Sequence, residues 1–530
     1  MSGIFKCSLL FVLLTGCFIS SKAQFGALPP YTIQIEPISG ITMPGIHSFA
    51  FAQSGDKWLF IGGRTNGLHG INSNDGFLAE NKNDAVIVVD TATWNFYSAD
   101  LNQLPRTIAD PMRSTNMEYI QEGKYLYMIG GYGYDSTLTH YLTFPTLTAI
   151  NVDTMINAVM NALPIASSIR QVTDTNFAIC GGELEKLGSD YYLLLGHNFA
   201  GRYDHVAGPL FTQVYSDRIK KFNIADNDTT ITLSNFTYLT DTTNFHRRDF
   251  TSAPIVKPNG SFGIGVYGGV FQKNIDLPYL EPITIDAAGA TVDMGYQQIM
   301  SQYTCAVLPI FDSLKQTMYT TFFGGISVNN YNDTTGLLVH DTLVPFINDV
   351  TTLTVNSFGV KSEAIMTQPL SGLLGSNAKF IPNGNLSHYS NDVVKINNIA
   401  NHTQVLAGYM FGGIRANASN LGITTSNDSI YRIYLTPNYT LGIAESSMNI
   451  TNTLLYPNPS IETTTLLFSM KNAEEVRVSI TDITGKEVQL IANEKMNAGK
   501  HQLTINTSRL SAGMYTCNIG YTHFSLIVSH

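Results

Sequence analysis

Short runs of aliphatic and aromatic residues, each closing on glycine, recur along the chain. Examples are KWLFIGG, YLYMIGG, GIGVYGG, TTFFGG and AGYMFGG. Alternating apolar and polar positions precede each run across a tight turn, as in SFAFAQSGDKWLFIGG and TNMEYIQEGKYLYMIGG. Alternation with a period of two, cut by turn residues, predicts paired strands and not helices. Six phrases align on the doublets Gly62-Gly63, Gly130-Gly131, Gly196-His197, Gly268-Gly269, Gly324-Gly325 and Gly412-Gly413. Gly181-Gly182 breaks the period and reads as a turn inside the third repeat. A third strand opens after an acidic residue at Asp84, Asp217, Asp349 and Asp428, and a fourth follows, as in WNFYSADL. Four short strands per unit with little helical periodicity predict a repeated antiparallel sheet.

Hydrophobic run, glycine doublet, acid-led third strand and late aromatic together resemble the kelch repeat. The resemblance spans residues 31–437 and implies an all-β fold: a six-bladed kelch-type β-propeller followed by a small C-terminal β-sandwich. Two departures stand out: Gly-His at the third doublet, and a long last interval holding NLSHYSNDVVKINN. The sixth repeat lacks its outer strand, and the N-terminal YTIQIEPI, Tyr31 to Ile38, is expected to supply it, tying the two ends of the array together.

Residues 438–453 read as a linker, and 454–530 as a small sandwich with turns at Asp482, Gly485 and Gly513. Tyr456-Pro457-Asn458-Pro459, Asp482 with Gly485-Lys486, and Leu510 through Gly513-Met514-Tyr515 resemble the type A C-terminal sorting domain of the type IX secretion system. That resemblance implies passage across the outer membrane, removal of the domain by a sorting peptidase, and cargo released or attached at the cell surface.

Charged residues make up only 13% of the 530, with a formal net charge of -10. An acidic balance without a basic run argues against nucleic acid as partner. Met1 to Ala23 reads as a signal peptide cleaved after Ala23. The alternative, a lipobox at Leu14–Cys17 with Cys17 acylated, is weakened by Phe18 and Ile19, which prolong the apolar stretch. No later segment is long and apolar enough for a transmembrane helix. Cys180, Cys305 and Cys517 are too sparse for a disulfide framework or a zinc site and are expected to be buried thiols.

Motif chemistry is sparse. G-x-S-x-G, H-E-x-x-H and the P-loop are all missing, and Ser73 to Phe77 is only a fragment of a sialidase-type box. The kelch resemblance extends to copper oxidases, but Cys180 and Cys305 have no suggestive partners for such a centre. No catalytic residue, metal or cofactor is therefore assigned. Arginines do recur where loops of one propeller face are expected. Arg64 and Arg415 follow doublets, Arg202 lies beyond the third, and Arg113, Arg170 and Arg248 lead toward first strands. With Asn116, His197 and His246 they form the candidate ligand-binding set. Guanidinium groups so placed suit either a carboxylate-bearing ligand or ion pairs between blades. Two functions follow: a secreted or surface binding module for an acidic glycan or peptide, or a metal-independent propeller enzyme acting on sugars, similar to the kelch-type mutarotases.

Overall fold

The computed structural model describes residues 25–208, 210–332, 334–420, 422–439, 450–483, 485–519 and 522–529. The expected signal peptide, Cys17 and most of the expected linker lie outside the described residues. The described residues up to 439 build six main antiparallel sheets, the first five with four main strands in chain order. They also build three two-stranded sheets: Tyr132–Asp135 with His140–Thr143, His197–Gly201 with Phe211–Tyr215, and Asn329–Asn332 with Leu337–His340. The first sheet holds Ala50–Ser54, Lys57–Ile61, Ala85–Asp90 and Asn95–Asp100, and the second Glu118–Glu122, Tyr125–Ile129, Thr146–Asn151 and Ile169–Thr173. The third runs from Glu183–Leu187 to Ile231–Thr240, the fourth from Thr251–Val256 to Gly289–Val292, and the fifth from Ala306–Asp312 to Lys361–Ile365.

In the sixth sheet, Leu373–Pro382, Val405–Ala416 and Ile430–Pro437 are completed by Tyr31–Pro37. The N-terminal strand runs antiparallel to the last, Tyr31 opposite Pro437 and Pro37 opposite Tyr431. Alternate residues Tyr31, Ile33 and Ile35 point inward and are buried, as period-two side-chain geometry requires. The pairing of the N-terminal strand with the last strand, expected from the sequence, is present.

Apolar cores lie between successive sheets. Leu59 and Val88 meet Leu126 and Ile150, and Tyr127 and Leu147 meet Leu193 and Phe222. Leu194 and Ile219 meet Ile264 and Ile283, Ala253 and Tyr267 meet Phe322 and Leu353, and Leu308 and Phe323 meet Met410 and Ile433. The sixth sheet then meets the first: Phe411, Ile381 and Ile430 pack with Phe49, Trp58 and Phe60.

The doublets serve these junctions. Gly130 has φ +66°, and a Cβ there would lie 2.0 Å from Ile179 O, in the segment leading to the next sheet. Gly131 N–H donates to that same oxygen at 2.9 Å. Only glycine combines the left-handed backbone with so close an approach. In the third repeat the doublet falls one residue earlier than the sequence alignment placed it. Leu195 (φ +50°) stands where Gly130 does, and Gly196 N–H donates to Arg247 O at 2.9 Å as Gly131 does to Ile179 O.

Two sequence expectations change. Two short helices, Arg106–Met112 and Val152–Met160, interrupt the strand pattern. The second is capped by Asn151, whose side chain accepts from Thr154 N–H, and it buries Val152, Met155, Ile156 and Val159. This insertion displaces the fourth strand of the second sheet to Ile169–Thr173, so Arg170 lies in an outer strand and does not lead into a first one. The segment NLSHYSNDVVKINN returns to the fifth sheet, where Val394 and Lys395 pair parallel to Ile310 and Phe311.

The C-terminal unit has Ile450–Tyr456 as its first described strand. Its two sheets, of three and four strands, enclose Leu466, Phe468, Val478, Ile480, Ile505 and Leu526. Asn458 ties its start to its end: the side-chain amide donates to Ser525 O at 2.7 Å and its oxygen accepts from Ile527 N–H at 2.8 Å. Asp482 closes the Asp482–Lys486 turn, accepting Lys486 N–H on its side chain at 3.1 Å.

Candidate functional site

One backbone feature repeats in all six sheets. Ser48, Asn116, Gly181, Asp249, Thr304 and Asn377 all adopt φ between +50° and +66°. Each stands just before the first strand of its sheet or, for Asn377, inside it. Backbone bonds link them: Asn116 N–H donates to Ser48 O at 3.3 Å, Gly181 to Asn116 O at 2.9 Å, Asp249 to Gly181 O at 2.7 Å, and Asn377 to Thr304 O. Five of the six are not glycine, so each costs on the order of 1 kcal/mol of backbone strain. Gly181 is thus the third member of this set, just ahead of the third sheet's first strand.

These six residues line a cavity of about 50 Å³ together with Glu183 and Lys379. That is room for one or two waters, far below the ~300–1,000 Å³ of small-molecule pockets. Asp249 is fully engaged, Oδ1 accepting from Asn116 Nδ2 at 3.1 Å and Oδ2 pairing with Arg248. Deeper in, Lys379 Nζ lies 5.0 Å from the Tyr119 ring centroid, and Ser252 Oγ donates to Glu185 at 2.6 Å. Burial works against the charge on Lys379, but Tyr119 and Glu183 outweigh it and its pKa rises. Burial pushes Glu183 up and takes Glu185 to about 7, the latter with help from neighbouring Glu183. These groups come from strands about 60 to 260 residues apart, and no sequence motif marks them.

The sequence-selected residues divide into groups. Asn116 and Arg248 meet on Asp249. Arg248 Nε also donates to Tyr215 OH at 3.2 Å. Burial opposes its charge, but Asp249 and Tyr215 prevail and its pKa rises. His246 stacks on Tyr215, centroids 3.8 Å apart, and bonds Asp217 at 2.8 Å. His197 packs against the same tyrosine and bonds Gln213 at 2.6 Å, and burial drives its pKa well down, so it is neutral.

Elsewhere, Arg113 is held by Asp84 at 2.6 Å and Asp110 at 3.2 Å, and Arg170 pairs with Asp226. Arg415 is exposed and donates to Asn427 and Ser429. Arg202 donates to Ser73 O, and Arg64 to Asn66 Oδ1 at 3.2 Å and Leu78 O at 3.0 Å. Around Arg64 and Arg202 lies an aromatic cluster in which Tyr132 and Phe199 are buried, Phe77, Tyr141 and Tyr203 half-buried and Tyr134 exposed. The arginines therefore do not form a uniform positive ring. Arg113, Arg170 and Arg248 are neutralised in place, whereas Arg64, Arg202 and Arg415 form no ion pair among the described residues.

Cys180, Cys305 and Cys517 are free and buried. Among the described residues, no group of three or more His, Cys, Asp or Glu side chains is placed to hold a metal ion.

Residues 454–526 match the family described as the secretion system C-terminal sorting domain. The C-terminal unit is thus a type IX sorting domain, which indicates handling by that machinery and export to the cell surface or release. No described helix is long and apolar enough to cross a membrane. No curated protein matches the chain. Among solved structures, the chain is similar to a fungal alcohol oxidase of the AA5 family in complex with copper. The identity is 8% over 94% of this chain and 99% of that one, with a TM-score of 0.36. It is also similar to the protein YjhT, 12% identical over 74% of this chain and 98% of that one, with a TM-score of 0.40. Both superpositions are loose.

Proposed function

We propose that residues 31–437 form a six-bladed kelch-type β-propeller, delivered by its sorting domain to act as a secreted or surface-displayed binding module for an acidic glycan or peptide. Six sheets in chain order, a core between each and the next, and the pairing of Tyr31–Pro37 with Ile430–Pro437 support the ring. The observation that carries the binding reading is the size of the cavity shared by the six sheets. At about 50 Å³ it is far smaller than the usual small-molecule pocket, which favours recognition by the aromatic and arginine-bearing hairpins and loops. An array of acidic and neutral glycans and peptides, probed with the purified protein, tests the reading. Retention of acidic members supports it, and uniform indifference to charge removes it.

The alternative, a metal-independent enzyme acting on sugars, draws on one feature. Glu183 and Lys379 line the same cavity, and neighbouring Glu185 titrates near neutral pH, as acid–base chemistry requires.

A further inference from the structure

Arg64 is 95% buried, with a relative exposure of 5%. Its guanidinium carbon lies 5.2 Å from the Phe77 ring centroid, and its hydrogen bonds go to neutral oxygens of Asn66 and Leu78. It faces a pocket of about 20 Å³ between the first two sheets, lined also by Lys82, Asp110, Arg113, Tyr134 and Tyr141. The charges there do not balance locally. Asp84 is taken by Lys82 at 3.0 Å and Arg113 at 2.6 Å, and Asp110 by Arg113 and by Ser136. The remaining carboxylate whose field reaches Arg64 is exposed Glu80. Burial lowers the Arg64 pKa to about 10, so it stays charged at neutral pH. A buried cation without a paired anion is costly, and a bound carboxylate would relieve that cost.

We propose that this pocket binds the carboxylate of an acidic sugar, a uronic-acid residue of a polysaccharide, with Arg64 as its counter-ion. This rests on the binding-module reading and deepens it. The pocket holds about one water-sized group, enough for one carboxylate oxygen to reach Arg64, so the sugar ring must stay outside. There Tyr134, 36% exposed and edge-on to Tyr141 with centroids 5.1 Å apart, offers an apolar face for the ring. A sugar ring uses such a platform, which favours a glycan over an acidic peptide. Arg202, whose field also reaches Tyr141, adds positive charge to the rim.

The test is calorimetric titration of the full chain with oligogalacturonate and with a neutral galactose oligomer of equal length, repeated for Arg64→Met and Tyr134→Ala. Oligogalacturonate is expected to bind and the neutral oligomer not. Arg64→Met should weaken binding on the order of tenfold to a hundredfold, the worth of a charge-assisted hydrogen bond. Its melting temperature should hold or rise, because an uncompensated buried charge has gone. If Arg64→Met fails to fold, Tyr134→Ala, altered only at the surface, must weaken binding at unchanged melting temperature. Undiminished affinity in either variant overturns the pocket and leaves the binding module standing. Wild type that binds polyglutamate but not oligogalacturonate overturns the sugar assignment. Binding of neither acidic probe removes both proposals.

Discussion

Gly413 N–H donates to Ile46 O at 2.9 Å, joining the middle of the sixth sheet to the segment that leads into the first. A Cβ on the preceding glycine, Gly412, would lie 2.7 Å from the same oxygen. The bond repeats, between the first and last repeats, what Gly131 N–H does with Ile179 O between the second and third.

If Tyr31–Pro37 closes the array, weakening it should lower the stability of all six sheets together. Ile33 is buried against the fifth and sixth sheets, and Ile33→Ala should cost about 2–5 kcal/mol. Denaturant unfolding should shift as one transition. A change confined to the N-terminal strand in hydrogen exchange, with the global midpoint unmoved, would contradict closure.

Gly130→Ala and Gly123→Ala separate close approach from backbone strain. Both glycines have positive φ, but a Cβ at Gly123 meets nothing within 4 Å, whereas at Gly130 it meets Ile179 O at 2.0 Å. The first substitution should cost about 2–4 kcal/mol and the second about 1 kcal/mol. Equal midpoints for the two would mean that the junction yields easily.

Removing residues 450–530 should leave the six-sheet unit folded but retained inside the cell, as fractionation and surface proteolysis would report. Asn458→Ala is the finer probe. It breaks both side-chain bonds to the last strand and should destabilise the sorting domain by about 1–3 kcal/mol. Normal surface delivery of the truncated chain would rule out the export role.

Glu185 has a folded pKa of about 7 against an ordinary 4.5, raised by burial and by Glu183. Between those values the folded chain binds the extra proton, so stability falls as pH rises from 4.5 to 7 and levels above. Glu185→Gln should flatten that part of a melting-temperature profile. A profile that rises through the window because of Glu185 would reverse the sign.

The sequence exposed the six repeats because five glycine pairs answer the same steric demand, and the third repeat meets it with Leu195 and Gly196. It exposed the closing strand because a repeat was one strand short. The helix Val152–Met160 was missed, because its Asn151 cap and apolar positions 152, 155, 156 and 159 sit inside a strand repeat, and its insertion displaced Arg170 into an outer strand. The positive-φ set was not legible, since Ser, Asn, Gly, Asp, Thr and Asn share no residue type. Nor was the meeting of Glu183 with Lys379, which depends on three-dimensional placement alone.

Binding without turnover is decided most directly by NMR measurement of anomer exchange in galacturonate, with and without the protein. A binding module leaves the interconversion rate at its buffer value while ligand resonances broaden. Acceleration that scales with protein concentration and disappears in Glu183→Gln would contradict the binding module and establish the enzyme.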